Sequence, residues 1–466
     1  MCGIAGGQID GTAGRVACVA LAHRGPDYAA TRTWGRITLA HTRLAIRDLH
    51  ERSHQPLTYG TTTVVYNGEL WNAEEVRREL REERGLAFHT TGDTEVFAAA
   101  LDAWGSHALT RLDGMWVIAW YDEADGDLRL ATDRYGEVPV HVGQLDGRFV
   151  FASEVKALVA MGVTPSATRQ LGPGELVTLR GVTPEHGHWS RIEPGPWLTD
   201  LPTAADAVAK TLDAAVARRT VSDVPVACLL SGGLDSAATL AMLVERLPEV
   251  CAYTAVYDRR SPDLRAARVV AEHLGVELVE VEVPEPTADG LAATVAQIEM
   301  PHKAQVEIGW ACLALADALR ADGVKVVYSG EGSDELWGSY GFSYHGIKAD
   351  GWYGHRRKLF LGQYRKNFAR VNKVFLARGV EPRMPFLDDA LVQLALSLPV
   401  EAVRDGRRPK AVLERAVAER LPGAILRRAK LAFQDAAGLK AACASAVADP
   451  LKFYRAEYRS RYGGAQ

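Results

Sequence analysis

The chain has 466 residues, more than one ordinary domain holds, so two or three domains are expected. Its 47% hydrophobic and 24% charged residues exclude a disordered or fibrous chain, and a net charge of −4 gives no electrostatic reason to expect nucleic acid. No apolar run could span a bilayer as a helix, and the N-terminus lacks the basic region and apolar core of a signal peptide. Six scattered cysteines without a C-x-x-C fit a reducing cytoplasm and argue against disulfides or zinc. The H-x-H of His186 and His188 has no further ligands near it in sequence.

Cys2 carries an α-amine and a thiol on one residue once Met1 is removed, and an α-amine of pKa about 8 can serve such a thiol as base. His23 to Asp27 reads as a turn, Leu39 to Ile46 as part of a strand, and Thr61 to Tyr66 as a β-branched strand running into Asn67-Gly68-Glu69. Asn72 and Glu75 have capping-box spacing, which predicts a helix through Leu80. Thr91 to Glu95 is a turn before another helix.

The strings M-C-G-I, H-R-G-P-D, H-x-R-L-x-I, Y-N-G-E and T-G-D-T-E, in this order, resemble the class II glutamine amidotransferases. The resemblance implies an N-terminal-nucleophile hydrolase with a stacked αββα fold, in which Cys2 attacks the side-chain carbonyl of glutamine and releases ammonia. It implies an oxyanion hole from the Asn67 side chain and the Gly68 N–H, with Arg43 taking the glutamine α-carboxylate. Leu44 and Ile46 would lie beside the substrate, and Glu69 and Asp93 would take its amino and amide ends.

Leu112 to Asp122 reads as a turn and a buried strand, Asp133 to Gly136 as a turn, and Phe151 to Leu158 as the start of a helix. Turn-forming residues crowd 187–202, so the first domain is placed at 1–190, a linker at 191–203 and the second domain at 204–466. Ala204 to Arg219 is an amphipathic helix with Val208, Leu212, Ala215 and Val216 on one face.

Val224 to Ser236 is an apolar strand, a glycine turn (Ser231-Gly232-Gly233) and a helix start, which offers backbone N–H groups to an anion. It is not a Walker loop, since no G-x-x-x-x-G-K-[ST] occurs. Strands follow at Cys251 to Tyr257, Gly275 to Val281 and Val324 to Tyr328, with a Ser261-Pro262 helix start between the first two. That alternation predicts a doubly wound parallel sheet, with its ligands at the carboxyl ends of the strands. Ser329 to Glu335 there is acidic, and Asp235 and Asp334 are the two carboxylates best placed for magnesium, which wants hard oxygens together with phosphates.

The S-G-G-x-D-S string resembles the pyrophosphate loop of N-type ATP pyrophosphatases. With G-V-E-P-R-M-P-F-L-D at 379–388 and Arg428-Ala429-Lys430, nearly the whole chain resembles glutamine-dependent asparagine synthetases. The resemblance implies that Ser231, Gly232, Gly233, Leu234, Asp235 and Ser236 hold the ATP phosphates and that Leu229, Val256, Ser329 and Gly330 flank the adenosine. Glu331 falls at the catalytic acid position, and Lys430 would neutralise the departing pyrophosphate. The implied reaction uses ATP and Mg²⁺ to adenylate a carboxylic acid acceptor, which ammonia from glutamine then converts to an amide. A homodimer is left open. β-Lactam synthetases, which usually lack the cysteine and carry tyrosine at Glu331, fit less well; the alternatives are an ordinary asparagine synthetase strictly using aspartate and a silent binding or regulatory protein on this fold.

Gln305, Glu307 and Asp388 are the acceptor candidates. Relatives carry Thr-Thr-x-Arg where this chain has Ala304-Gln305-Val306-Glu307, and the stretch 431–438 departs as well. If Glu307 faces the acceptor, it repels a second carboxylate, and aspartate is expected to bind poorly. Arg356-Arg357-Lys358 is expected to be a basic helix face, and Phe453 to Tyr462 a peripheral docking segment.

Overall fold

The computed structural model describes residues 1–339, 351–406, 408–428 and 438–463. Its N-terminal half holds two six-stranded sheets in which every pairing is antiparallel. Across the first, the strands run Arg169–Gln170, His141–Leu145, Arg148–Ala152, Gly3–Gly7, Ile37–Arg43, Tyr28–Trp34. Across the second they run Thr183–His188, Glu175–Arg180, Leu128–Thr132, Gly114–Asp122, Thr62–Leu70, Leu57–Tyr59.

Side-chain alternation along these strands makes the layers. Ile4, Leu39 and Phe151 of the first sheet share one apolar core with Val65, Val117 and Leu130 of the second. Their neighbours Ala5, Ala40 and Val150 pack with residues of helices Gly11–Leu21 and Val155–Ala160. Val64, Tyr66, Ile118 and Trp120 pack with helices Ala73–Arg84 and Asp93–Trp104. The order helix, sheet, sheet, helix follows.

Several local expectations are corrected. Asn72 precedes helix Ala73–Arg84 but makes no side-chain cap. Its amide instead bonds Arg111 O at 2.9 Å and Asp113 N at 3.0 Å, pinning the turn before the next strand. Phe151 and Ala152 close a strand rather than open a helix. The helix expected from Ala204 runs Leu201–Arg218, because the Asp200 carboxylate caps Thr203 N at 2.8 Å. Arg356 is not on a solvent face: it is fully buried and donates to the carbonyls of Leu336, Ala395, Leu396 and Leu398. The tail forms helix Pro450–Tyr462, which buries Tyr454, Tyr458 and Tyr462 in a core shared with helix Ala288–Ile298.

The C-terminal half is built on five parallel strands in the order Leu278–Glu282, Cys251–Val256, Val226–Leu229, Val326–Tyr328, Glu381–Arg383. The chain winds outward from Val226–Leu229 in one direction and then restarts at Val326–Tyr328 in the other. The crevice between those two strands is therefore the topological switch point, where doubly wound sheets hold ligands. The edge strand Glu381–Arg383 abuts the N-terminal half: the Met1 ammonium lies 2.5 Å from the Glu381 carboxylate, with both groups buried.

Candidate active site

Two clusters form where the sequence places them. In the first, Gly3–Gly7 and Thr62–Leu70 belong to the facing sheets, and this brings Cys2 to Asn67. The Cys2 N–H donates to Asn67 Oδ1 at 2.7 Å. That bond orients the amide and leaves Asn67 Nδ2 buried with no hydrogen-bond partner among the described residues. A buried donor without a partner costs about 1–3 kcal/mol, so it marks a place where a ligand oxygen fits. Gly68 has φ +154°, and a Cβ there would meet Met115 O at 2.1 Å, so no other residue keeps this strand in register.

The Cys2 thiol sits 3.9 Å from Leu44 O. Burial and Glu381 push the thiol up, the Met1 ammonium and Arg43 pull it down, and burial, the largest of these, leaves it raised. Arg43 is held by the turn that follows it, donating to His50 O at 2.8 Å and to Asp48 O. Leu44 and Ile46 are buried in the wall. Asp93 Oδ2 accepts from Leu70 N at 2.9 Å and Tyr66 Oη at 3.1 Å. Arg47, which the sequence reading missed, lies 3.7 Å from Glu69 and 3.6 Å from Asp93 and links them. Glu69 Oε2 is buried without a hydrogen-bond partner among the described residues, and its carboxyl is pushed up to about 8, by burial first and then by Glu381 and Asp93.

The second cluster lies at the switch point. Leu229, Val256 and Ser329 stand at or just past the carboxyl ends of three adjacent strands. Ser231 N and Oγ bond Ser236 Oγ at 3.2 and 3.1 Å, closing the loop around Gly232 and Gly233. Gly232 has φ +73°, and a Cβ there would meet Asp263 O at 2.4 Å. Helix Leu234–Val244 starts directly after, so its unpaired N–H groups face the crevice. Gly330 packs on the same loop, with room for no Cβ beside Ser236 N.

Asp235 and Asp334 come together through a residue the sequence reading missed. Lys410 Nζ lies 2.6 Å from Asp235 Oδ2 and 2.5 Å from Asp334 Oδ1. Ser333 Oγ donates to Asp235 Oδ1 at 2.6 Å, and Ser339 Oγ reaches Asp334 Oδ1 at 2.5 Å. The Lys410 side chain is buried, yet these two carboxylates hold its ammonium well above the usual lysine range. Two carboxylates are too few for an all-protein cage, but they match the Mg²⁺ sites that take their other oxygens from phosphates and water.

Glu331 forms an ion pair with Arg370, a second missed residue, carried on helix Asn367–Leu376. Arg370 also donates to Gln305 Oε1 at 2.7 Å, and Gln305 donates to Asn367 Oδ1 at 2.8 Å. Gln305 and Glu331 thus share Arg370 as a partner. Glu307 is not. It is two residues further along helix Lys303–Ala321, about 200° around the axis. Its carboxylate is buried 3.8 Å from Lys303, and together with burial it pushes the Cys443 thiol up to about 12, which puts it against the C-terminal helices. The expected repulsion of an acceptor by Glu307 is therefore withdrawn. Asp388 is also removed from the site: it is fully buried, and Arg218 and Arg219 take its two oxygens at 2.5 and 2.7 Å. Lys430 and the stretch 431–437 lie outside the described residues.

Comparison with known proteins matches each half of the chain to a family. Residues 1–198 match the glutamine amidotransferase domain family, and residues 207–376 and 362–457 match the asparagine synthase family. The chain is 30% identical to the glutamine-hydrolysing asparagine synthetase of Brassica oleracea, over 97% of this chain and 82% of that one. It is 32% identical to that of Asparagus officinalis, over 96% and 80%, and 31% identical to that of Sandersonia aurantiaca, over 94% and 87%. With both halves matched and both clusters formed, the chain belongs to the glutamine-hydrolysing asparagine synthetase family.

Proposed function

We propose that this enzyme transfers the amide nitrogen of glutamine to an adenylated carboxylate, with aspartate as the acceptor, giving asparagine, glutamate, AMP and pyrophosphate. After removal of Met1, the Cys2 thiol attacks the glutamine Cδ. The free α-amine takes the thiol proton and passes it to the leaving ammonia. Asn67 Nδ2 and the Gly68 N–H hold the oxyanion, each donor being worth about 3 kcal/mol. Arg43 clamps the substrate carboxylate, and Glu69, with Asp93 behind it, takes its ammonium. Hydrolysis of the thioester returns glutamate.

At the switch point, Ser231 to Ser236 cradle the ATP phosphates and Lys410 offsets the charge that gathers on the departing pyrophosphate. Asp235 and Asp334 would hold Mg²⁺, which supplies charge neutralisation to the phosphates. Glu331, positioned by Arg370, faces the acyl carbon that ammonia attacks and receives the proton that ammonia loses. A solvent path would protonate the nucleophile, so ammonia must pass within the protein. The proposed location is the cytoplasm.

The observation that carries the reading is the pairing of unpartnered groups at the first site with the Lys410-bridged carboxylates at the second. Aspartate is favoured as acceptor because Glu307, which argued against it, lies against Cys443 and Tyr454. A second reading, an acceptor without a second carboxylate, is favoured by one fact: helix Lys303–Ala321 sets neutral Gln305 on Arg370, the partner of Glu331. Pyrophosphate release over a panel of carboxylic acids separates the two. Aspartate leads under the first, and a monocarboxylic acid leads under the second.

A further inference from the structure

The edge strand of the synthetase sheet reaches into the glutamine site. Glu381 and Arg383, two residues apart, project from the same face of strand Glu381–Arg383, and both are fully buried. Arg383 Nε holds Glu381 Oε1 at 2.8 Å, and its Nη1 donates to the carbonyls of Val221 (2.8 Å) and Arg219. Its Nη2 is buried without a hydrogen-bond partner among the described residues and lies 3.7 Å from Glu69 Oε1. The other Glu69 oxygen, 3.7 Å from Arg47, is also buried without a hydrogen-bond partner among the described residues. Three side chains from two halves of the molecule thus meet at Glu69, where neither Glu69 Oε2 nor Arg383 Nη2 has a hydrogen-bond partner among the described residues.

We propose that Arg383 and Glu381 are positioning residues of the glutaminase: Arg383 aims the Glu69 carboxylate at the glutamine ammonium, and Glu381 fixes Arg383. The glutamine site is then complete only when the synthetase half is docked. This rests on the assignment of Glu69 to the glutamine ammonium made above.

The charges around Glu69 give the proposal a sign. Burial, Glu381 and Asp93 favour the protonated carboxyl, while Arg383 and Arg47 favour the carboxylate. Tyr66 faces the same group of charges, Tyr328 faces Arg383, and the Met1 ammonium faces Glu381 until Met1 is removed. A protonated Glu69 cannot pair with an ammonium, so glutamine affinity should fall as pH drops through its titration. Loss of the Arg383 charge should move that fall to higher pH, and loss of the Glu381 charge should move it to lower pH. Each unit of upward movement weakens glutamine about tenfold below the midpoint.

The test is calorimetric titration of glutamine into the full-length Cys2→Ala enzyme, which binds without turnover, from pH 6 to pH 9. Glu381→Gln is expected to lower the midpoint, Arg383→Gln to raise it and weaken binding at pH 7 about tenfold or more, and Arg383→Lys to recover part of the loss. Identical midpoints in the parent and Glu381→Gln overturn the proposal, and that variant decides alone if Arg383→Gln does not fold. Glu69→Gln separates the two levels. It should weaken binding and erase the pH dependence; unchanged binding would mean that Glu69 is not the ammonium partner, and both the assignment and the proposal fall.

Discussion

Lys410→Met removes the ammonium that bridges Asp235 and Asp334. The Lys410 side chain is 7% exposed and those of the carboxylates 22% and 25%, so the three charges are mostly shielded from water. Removing one member of such a buried pair costs about 3–5 kcal/mol, because the uncompensated charges remain. With the carboxylates partly hydrated, the low end applies, about 3 kcal/mol, or roughly 6–12 °C in the melting of the C-terminal half. The raised Lys410 pKa makes this stability fully present below the unfolded value near 10.4 and lost only as pH rises through the still higher folded value, so an assay at pH 7–8 sees all of it. Loss of a charge contact to the phosphates should slow pyrophosphate release about 10²–10³-fold with either nitrogen source. Millimolar Mg²⁺ should restabilise the variant more than the parent, since both carboxylates are then free for it. Pyrophosphate release within fivefold of the parent, with unchanged melting, would refute the reasoning.

Cys2→Ala should abolish glutamate release and keep amide formation from ammonium salts, read by product chromatography; loss of both in a folded variant contradicts separate sites. Asp235→Asn and Asp334→Asn should each stop pyrophosphate release whatever the nitrogen source, and normal turnover in both would make these carboxylates structural. Glu307→Arg should leave the KM for aspartate unchanged and lower the melting temperature, since it forces a longer cation against Cys443 and Tyr454. A clear drop in that KM would restore Glu307 to the acceptor site.

What was legible in the sequence was contiguous. Cys2, Asn67-Gly68-Glu69, Asp93 and the loop from Ser231 to Ser236 sit in short strings whose chemistry depends on neighbours in the chain. Lys410, Arg370 and Arg47 were not legible, because each acts across segments that meet only in the fold: Lys410 is 175 residues from the carboxylate it holds. The strand Glu381–Arg383 was visible as a string, yet nothing local says that its side chains reach Glu69. Glu307 was misjudged for a different reason. Its neighbour Gln305 does face Glu331's partner Arg370, but a step of two residues turns a side chain to the far side of a helix. Asn72 had the spacing of a cap, and its amide found partners in the turn at 111–113 instead.

The central claim is transfer of nitrogen from glutamine to an activated carboxylate, and isotope transfer tests it most directly. Glutamine labelled with ¹⁵N in its side-chain amide, supplied with ATP, Mg²⁺ and aspartate, should yield asparagine carrying the label in its amide, with one AMP and one pyrophosphate per asparagine. Label recovered only as free ammonium, with no AMP formed from aspartate or any other acid in the panel, would contradict it.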